Sequence, residues 1–180
     1  MLVCFMYKFF KYFFLLLVFF LNPLIAKEPF IATLINIPTN DIQVYKHGNT
    51  KFSCLPYGVI SIDEIYRKAK EDSICKLSIE KFYRKRKDLK HFTSSTLHIY
   101  QSYSLKIKKE NRCAVNIAGE KTLSEFLIDE GLAIRKPSFE DKEYSYYFYR
   151  SEQNAKDKSK GMWKEKIVKN CMEYIDTSDK

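Results

Sequence analysis

The chain has 180 residues and a formal charge of +9 at neutral pH, with 31 Lys and Arg against 22 Asp and Glu. That length suits one domain with a real hydrophobic core, or one domain plus a short extra segment, and excludes a string of several domains. The basic balance suits an anionic partner, such as nucleic acid, an acidic polymer or a lipid surface, although a lysine-rich solvated face accounts for it equally well.

Residues 1–26 stand apart. Lys8 and Lys11 carry the charges there, the apolar run Tyr12 to Leu21 follows, and Leu24-Ile25-Ala26 precedes Lys27-Glu28. This is the order of a secretory signal peptide, with Ala26 as the last residue removed. An uncleaved anchor is the rival reading, but the run is about half the ~20 apolar residues of a spanning helix and Asn22-Pro23 interrupts it. The mature protein is therefore expected outside the cytoplasm, periplasmic or secreted, with no stable membrane insertion.

Cysteine usage agrees with export. Cys4 lies in the leader, leaving Cys54, Cys75, Cys113 and Cys171. An even count in an oxidising compartment predicts two disulfides, with three connectivities open. The spacings lack the close pairs of a zinc site. A cysteine nucleophile with His47, His91 or His98 has no local support.

Phe30 to Tyr45 reads as two strands around the turn Pro38-Thr39-Asn40-Asp41, and Thr50 to Leu55 as a third strand after His47-Gly48-Asn49. Ile62 to Lys70 and Ser78 to Lys87 read as helices. Thr96 to Lys106 alternates like a strand, and Cys113 to Ile117 is another. Thr122-Leu-Ser-Glu125 is a capping box opening a short helix. Gly131 sits where a left-handed cap is wanted, and Leu132-Ala133-Ile134 returns to the core. The last helix starts near Ser138, carries Tyr144, Phe148 and Ala155 on one face, and ends near Gly161, with Trp163 packing back. A five-stranded Greek-key barrel of OB type fits this order, as do other α+β folds.

Three motifs in order narrow the choice. They are the opening strand and turn in FIATLINIPTNDIQVY, then Glu130-Gly131-Leu132-Ala133, then Glu152-Gln-Asn-Ala155-Lys156 followed by Gly161-Met162-Trp163. Together, over roughly residues 30–165, they resemble the staphylococcal-nuclease (thermonuclease) family. The resemblance implies an α+β fold, a five-stranded OB-fold barrel with about three helices. It divides the chain into a leader (1–26), a nuclease-like domain (27–165) with a helical insertion at about 60–92, and a tail (166–180). It also implies a calcium-dependent phosphodiesterase acting on DNA or RNA.

The site implied by the resemblance is incomplete. The family's reaction uses acidic Ca²⁺ ligands, a carboxylate that handles water and two arginines on the phosphate. In the D-G-D-T turn the chain has Thr39-Asn40-Asp41-Ile42, so Asp41 matches the second aspartate and the first is missing. Phe52-Ser53-Cys54 stands where an arginine is expected. The D-x-P-E motif is lost, with Ile62-Asp63-Glu64 a displaced echo. Arg112 matches the second arginine if one residue of register is conceded. If the protein is catalytic, Asp41 and Asp63 are expected to hold Ca²⁺, with Glu64 and Arg112 as catalytic groups. Asn-Asp is equally a common turn pair, and acids at a helix start are equally ordinary.

Two readings follow. One is an exported nuclease with a rearranged site. The other is a non-catalytic OB module that binds nucleic acid or a protein partner in the envelope, with a monomer expected. For binding, Arg84, Lys85, Arg86 and Lys87 interleave with Phe82 and Tyr83, the mix used for phosphates and base stacking. A solvated helix face explains the same run.

Overall fold

The computed structural model describes residues 28–109, 111–119 and 121–176, and the expected leader lies outside them. Strands β1 (Phe30–Thr39), β2 (Ile42–His47) and β3 (Thr50–Pro56) form the expected meander. Alternation drives it: Ala32 and Leu34, Gln43 and Tyr45, and Cys54 and Pro56 turn inward while their neighbours face out. Strands β5 (Ser102–Ile107) and β6 (Arg112–Ala118) complete the sheet in the order β3-β2-β1-β5-β6. Parallel pairing of Leu55–Pro56 with Arg112–Cys113 then closes it into a five-stranded mixed barrel. The Cys54–Cys113 disulfide crosses that closure.

A short strand, β4 (Val59–Ser61), pairs with β8 (Ala133–Arg135) beside the barrel, and β7 (Lys121–Thr122) pairs antiparallel with β6. Between β4 and β5 the chain forms α1 (Ile62–Lys68), α2 (Ile74–Lys85), α3 (Lys87–Lys90) and α4 (Phe92–Thr96). The back half supplies α5 (Leu123–Asp129) and α6 (Ser145–Asp157). Two short helices, α7 (Ile167–Asn170) and α8 (Met172–Asp176), cover the segment expected as a tail. Ile167, Cys171, Tyr174 and Ile175 are buried there, and Cys171 is bonded to Cys75 of α2. None of the described helices is long and apolar enough to cross a membrane.

The capping box forms as read: the Thr122 hydroxyl accepts from the Glu125 amide, and the Glu125 carboxylate accepts from the Thr122 amide. Gly131 adopts φ +66°. It lies against Gly161 of the Gly-Met-Trp turn, and the Met162 amide donates 2.9 Å to the Gly131 carbonyl. A Cβ on Gly131 would collide with the Lys160 carbonyl, and one on Gly161 with the Gly131 carbonyl. The motifs 130–133 and 161–163 are thus two sides of one backbone contact.

Element boundaries differ from the sequence reading in several places, with α2 running Ile74–Lys85 rather than Ser78–Lys87. Residues 92–96 are helical, and the strand begins only at Ser102. A tertiary anchor overrides β-propensity here, because the buried Thr93 gives both its amide and its hydroxyl to Asn40. The last long helix starts at Ser145, not near Ser138. Residues 136–144 are held as a loop instead: Phe139 packs over Gly58, and the Tyr57 hydroxyl donates to Asp141.

Candidate functional site

The turn between β1 and β2 carries the position that resembles the family's metal ligand. Asp41 is fully buried. Its Oδ1 accepts from the Thr39 hydroxyl at 2.8 Å and from Arg67 Nη1 at 3.0 Å. Its Oδ2 accepts from the Ser61 hydroxyl at 2.7 Å and from Arg67 Nη2 at 2.6 Å. A carboxylate offers about four lone-pair sites, and all four are taken. Burial pushes the Asp41 carboxyl up, but the hydrogen bonds from Arg67 and Ser61 and the charge of Arg67 outweigh it and leave it below its ordinary value.

Asn40, the other turn residue, is equally committed. Its amide donates to Asp63 Oδ2 at 3.0 Å, and its side-chain Nδ2 donates to the Leu89 and Lys90 carbonyls. Its own oxygens accept from Gln43 and Thr93. The turn therefore fastens the inserted helices to the barrel: Asp41 holds α1 through Arg67 and Ser61, and Asn40 holds α3 and α4.

Glu64 and Arg112 meet each other. Arg112 Nη2 lies 2.9 and 3.1 Å from the two Glu64 oxygens, and Lys68 reaches the same carboxylate at 2.8 Å. Arg112 Nη1 donates to the carbonyls of Pro56 and Val59. Both side chains are buried, and the pair ties α1 to the closure of the barrel. Asp63 points the other way, towards a cleft, and accepts from the Tyr83 hydroxyl at 2.6 Å. Burial is the main cause that raises its carboxyl above its ordinary value, with the nearby Asp41 charge adding to it.

These contacts do not fit a calcium ion at Asp41. The cation facing that carboxylate is the guanidinium of Arg67, and a metal would have to displace it together with two hydroxyl donors. Among the described residues no group of three His, Cys, Asp or Glu side chains is arranged to hold a metal ion.

The cleft beside Asp63 has a volume of about 780 Å³. The β1–β2 turn gives it Pro38 and Thr39, and α1 gives Tyr66. Helix α2 gives Glu80, Tyr83 and Arg84, and the following segment gives Lys87, Lys90 and His91. The basic run expected to contact nucleic acid is split by the fold. Arg84 and Lys87 line the cleft. Lys85 pairs with Glu165, and Arg86 makes a two-pronged pair with Asp88.

The family model described as staphylococcal nuclease homologue matches residues 61–165. The chain belongs to the staphylococcal nuclease homologue family. No curated protein matches it. The matched span of this family member holds both glycine motifs and the barrel strands β5 and β6. It begins just after β1, β2 and β3, where the altered turn and Ser53 lie. In this nuclease homologue Ser53 is exposed on β3 with no guanidinium at its position. The family is a nuclease-type family, which brings nucleic acid to the fore as the partner class.

Sequence reading did not single out Arg67, Ser61 or Tyr66, and it met His91 only as a candidate partner of a cysteine nucleophile. One signal was present. Ser61 lies where a cap of α1 is wanted, and its hydroxyl accepts from the Glu64 amide.

Proposed function

We propose that this nuclease homologue is an exported nucleic-acid-binding domain that does not hydrolyse its ligand at the family's position. One observation carries the reading: the Asp41 carboxylate has no free lone pair, because Arg67, Ser61 and Thr39 fill it. The missing arginine at Ser53 supports it, since an arginine on a transferring phosphoryl group is worth about 10³–10⁵ in rate. The locked Glu64–Arg112 pair supports it too, because neither group is available to water or phosphate. Export rests on the leader pattern in residues 1–26 and on the two bridges, Cys54–Cys113 and Cys75–Cys171, which suit an oxidising compartment.

The test uses purified protein with labelled single-stranded DNA and RNA in a series of Ca²⁺, Mg²⁺ and Mn²⁺. Retention without cleavage is expected, weakening steeply as salt rises. Metal-stimulated cleavage that Asp41→Ala abolishes would overturn the proposal, and so would an absence of binding at low salt.

A further inference from the structure

The cleft between the β1–β2 turn and the inserted helices is built from parts that match one kind of ligand. Its two aromatic walls are fixed by its own acids: the Tyr83 hydroxyl donates to Asp63 at 2.6 Å, and the Tyr66 hydroxyl donates to Glu80 at 3.0 Å. The carboxylates are thus engaged with the walls, while both rings are partly buried against the core and still line the cleft, with Lys76 over one face of Tyr66. Arg84, Lys87 and Lys90 are exposed at the cleft and make no side-chain hydrogen bond or ion pair with any described residue. The other basic groups of the same run are spent on Glu165 and Asp88.

Rigid aromatic rings beside unpaired cations form a combination that stacks a base and neutralises its phosphate. A volume of about 780 Å³ lies in the range of small-molecule sites and excludes a duplex from the interior. Among the described residues, the concavities of about 450 and 330 Å³ do not set two tyrosine rings beside three cations.

We infer that this cleft takes one unpaired nucleotide unit, with its base against the tyrosine walls and its phosphate on Arg84, Lys87 and Lys90. The inference rests on the nucleic-acid reading above and moves the contact from the family's turn to the helical insertion. The unit could be a free nucleoside monophosphate or one residue of a single strand, since both present the same base and phosphate.

Titration calorimetry on the purified protein separates these cases. The probes are adenosine 5′-monophosphate, adenosine, inorganic phosphate, a single-stranded hexanucleotide and a blunt hairpin duplex. The monophosphate or the hexanucleotide is expected to bind at least tenfold more tightly than adenosine, phosphate or the duplex. Tighter hexanucleotide binding assigns the strand as the source, and tighter monophosphate binding assigns the free nucleotide.

Tyr66→Ala should weaken binding about tenfold, the worth of one stacked base, while Tyr66→Phe keeps the ring and most of the affinity. Lys87→Gln with Lys90→Gln, at exposed positions that do not threaten folding, should weaken binding and flatten its salt dependence. Equal binding of phosphate and monophosphate would overturn the inference. Strand binding untouched by the tyrosine and lysine changes would overturn it while leaving the proposed function intact. Monophosphate binding lost in those variants, with no strand binding, would uphold the cleft and sink the proposed function.

Discussion

Arg67 and Asp41 face each other end-on, each terminal guanidinium nitrogen against one carboxylate oxygen, at 3.0 and 2.6 Å. A two-pronged pair of this kind fixes orientation as well as charge. It places a cation of the protein's own against the carboxylate that resembles the family's metal ligand. The side chain of Arg67 is 39% exposed and that of Asp41 is fully buried, so the acid depends on the arginine more than the reverse.

Asp41→Ala is expected to cost about 2–3 kcal/mol of stability, because it orphans two hydroxyls and a guanidinium that can still turn to solvent. Urea unfolding midpoints measure this directly. A double-mutant cycle with Arg67→Ala should give a coupling above about 1 kcal/mol. Additive effects would show that the pair is incidental. Calcium should raise the melting temperature of neither the parent nor the variants.

The pH dependence has a defined sign. Asp41 is held below its unfolded value, so its contribution is present above about pH 4 and is lost as pH falls through its folded value. Asp63 is raised, so its effect is opposite: stability declines as pH rises from about 4 through its folded value. Arg67→Ala should therefore weaken the loss of stability on the acid side, because burial of Asp41 is then opposed only by the hydroxyls of Ser61 and Thr39. Asp63→Asn keeps an acceptor for the Asn40 amide and turns an N–H towards the Tyr83 hydroxyl, and should flatten the profile just above pH 4. Melting temperatures from pH 3 to 7 read both effects.

Gly131→Ala and Gly161→Ala are each expected to destabilise by about 2–4 kcal/mol. Each requires an unfavourable positive φ and drives a methyl into a carbonyl on the other strand of the contact. The double variant should cost less than the sum, since one displaced backbone relieves both collisions. Chemical denaturation of the three variants decides the point.

The fold was legible because its markers are backbone requirements. Gly131 and Gly161 announce a close approach that few other residues permit, and the Thr122–Glu125 box fixes where α5 begins. The boundary at residues 96–101 was not legible, because Thr93 is held helical by Asn40, a residue 53 positions away. The candidate site was half legible. Asp41 and its lost neighbours Thr39 and Ser53 could be read from local pattern. Arg67 could not be assigned to Asp41, because nothing in the chain between them, 26 positions apart, states that they meet. The disulfide pairing stayed open for the same reason, since an even count of cysteines names no partners.

Reduction of the bridges should be costly. Loops of 59 and 96 residues correspond to about 4 kcal/mol each in the chain-entropy description. Cys75→Ser with Cys171→Ser should selectively speed amide exchange in α2 and residues 167–176, while β1 to β3 stay protected. Uniform loss of protection would place both bridges in one cooperative unit.

The order of the bridges along the chain decides what a proteolytic cut does to the molecule. Cys54–Cys113 and Cys75–Cys171 interleave, so each loop begins inside or before the other and neither is nested. A single cut anywhere from residue 55 to residue 170 separates the partners of at least one bridge onto different fragments, and that bridge keeps the fragments together. A nicked molecule would run as one species until a reductant is added. The interleaving thus protects chain integrity in a way that neither bridge, nor two side-by-side bridges, could provide.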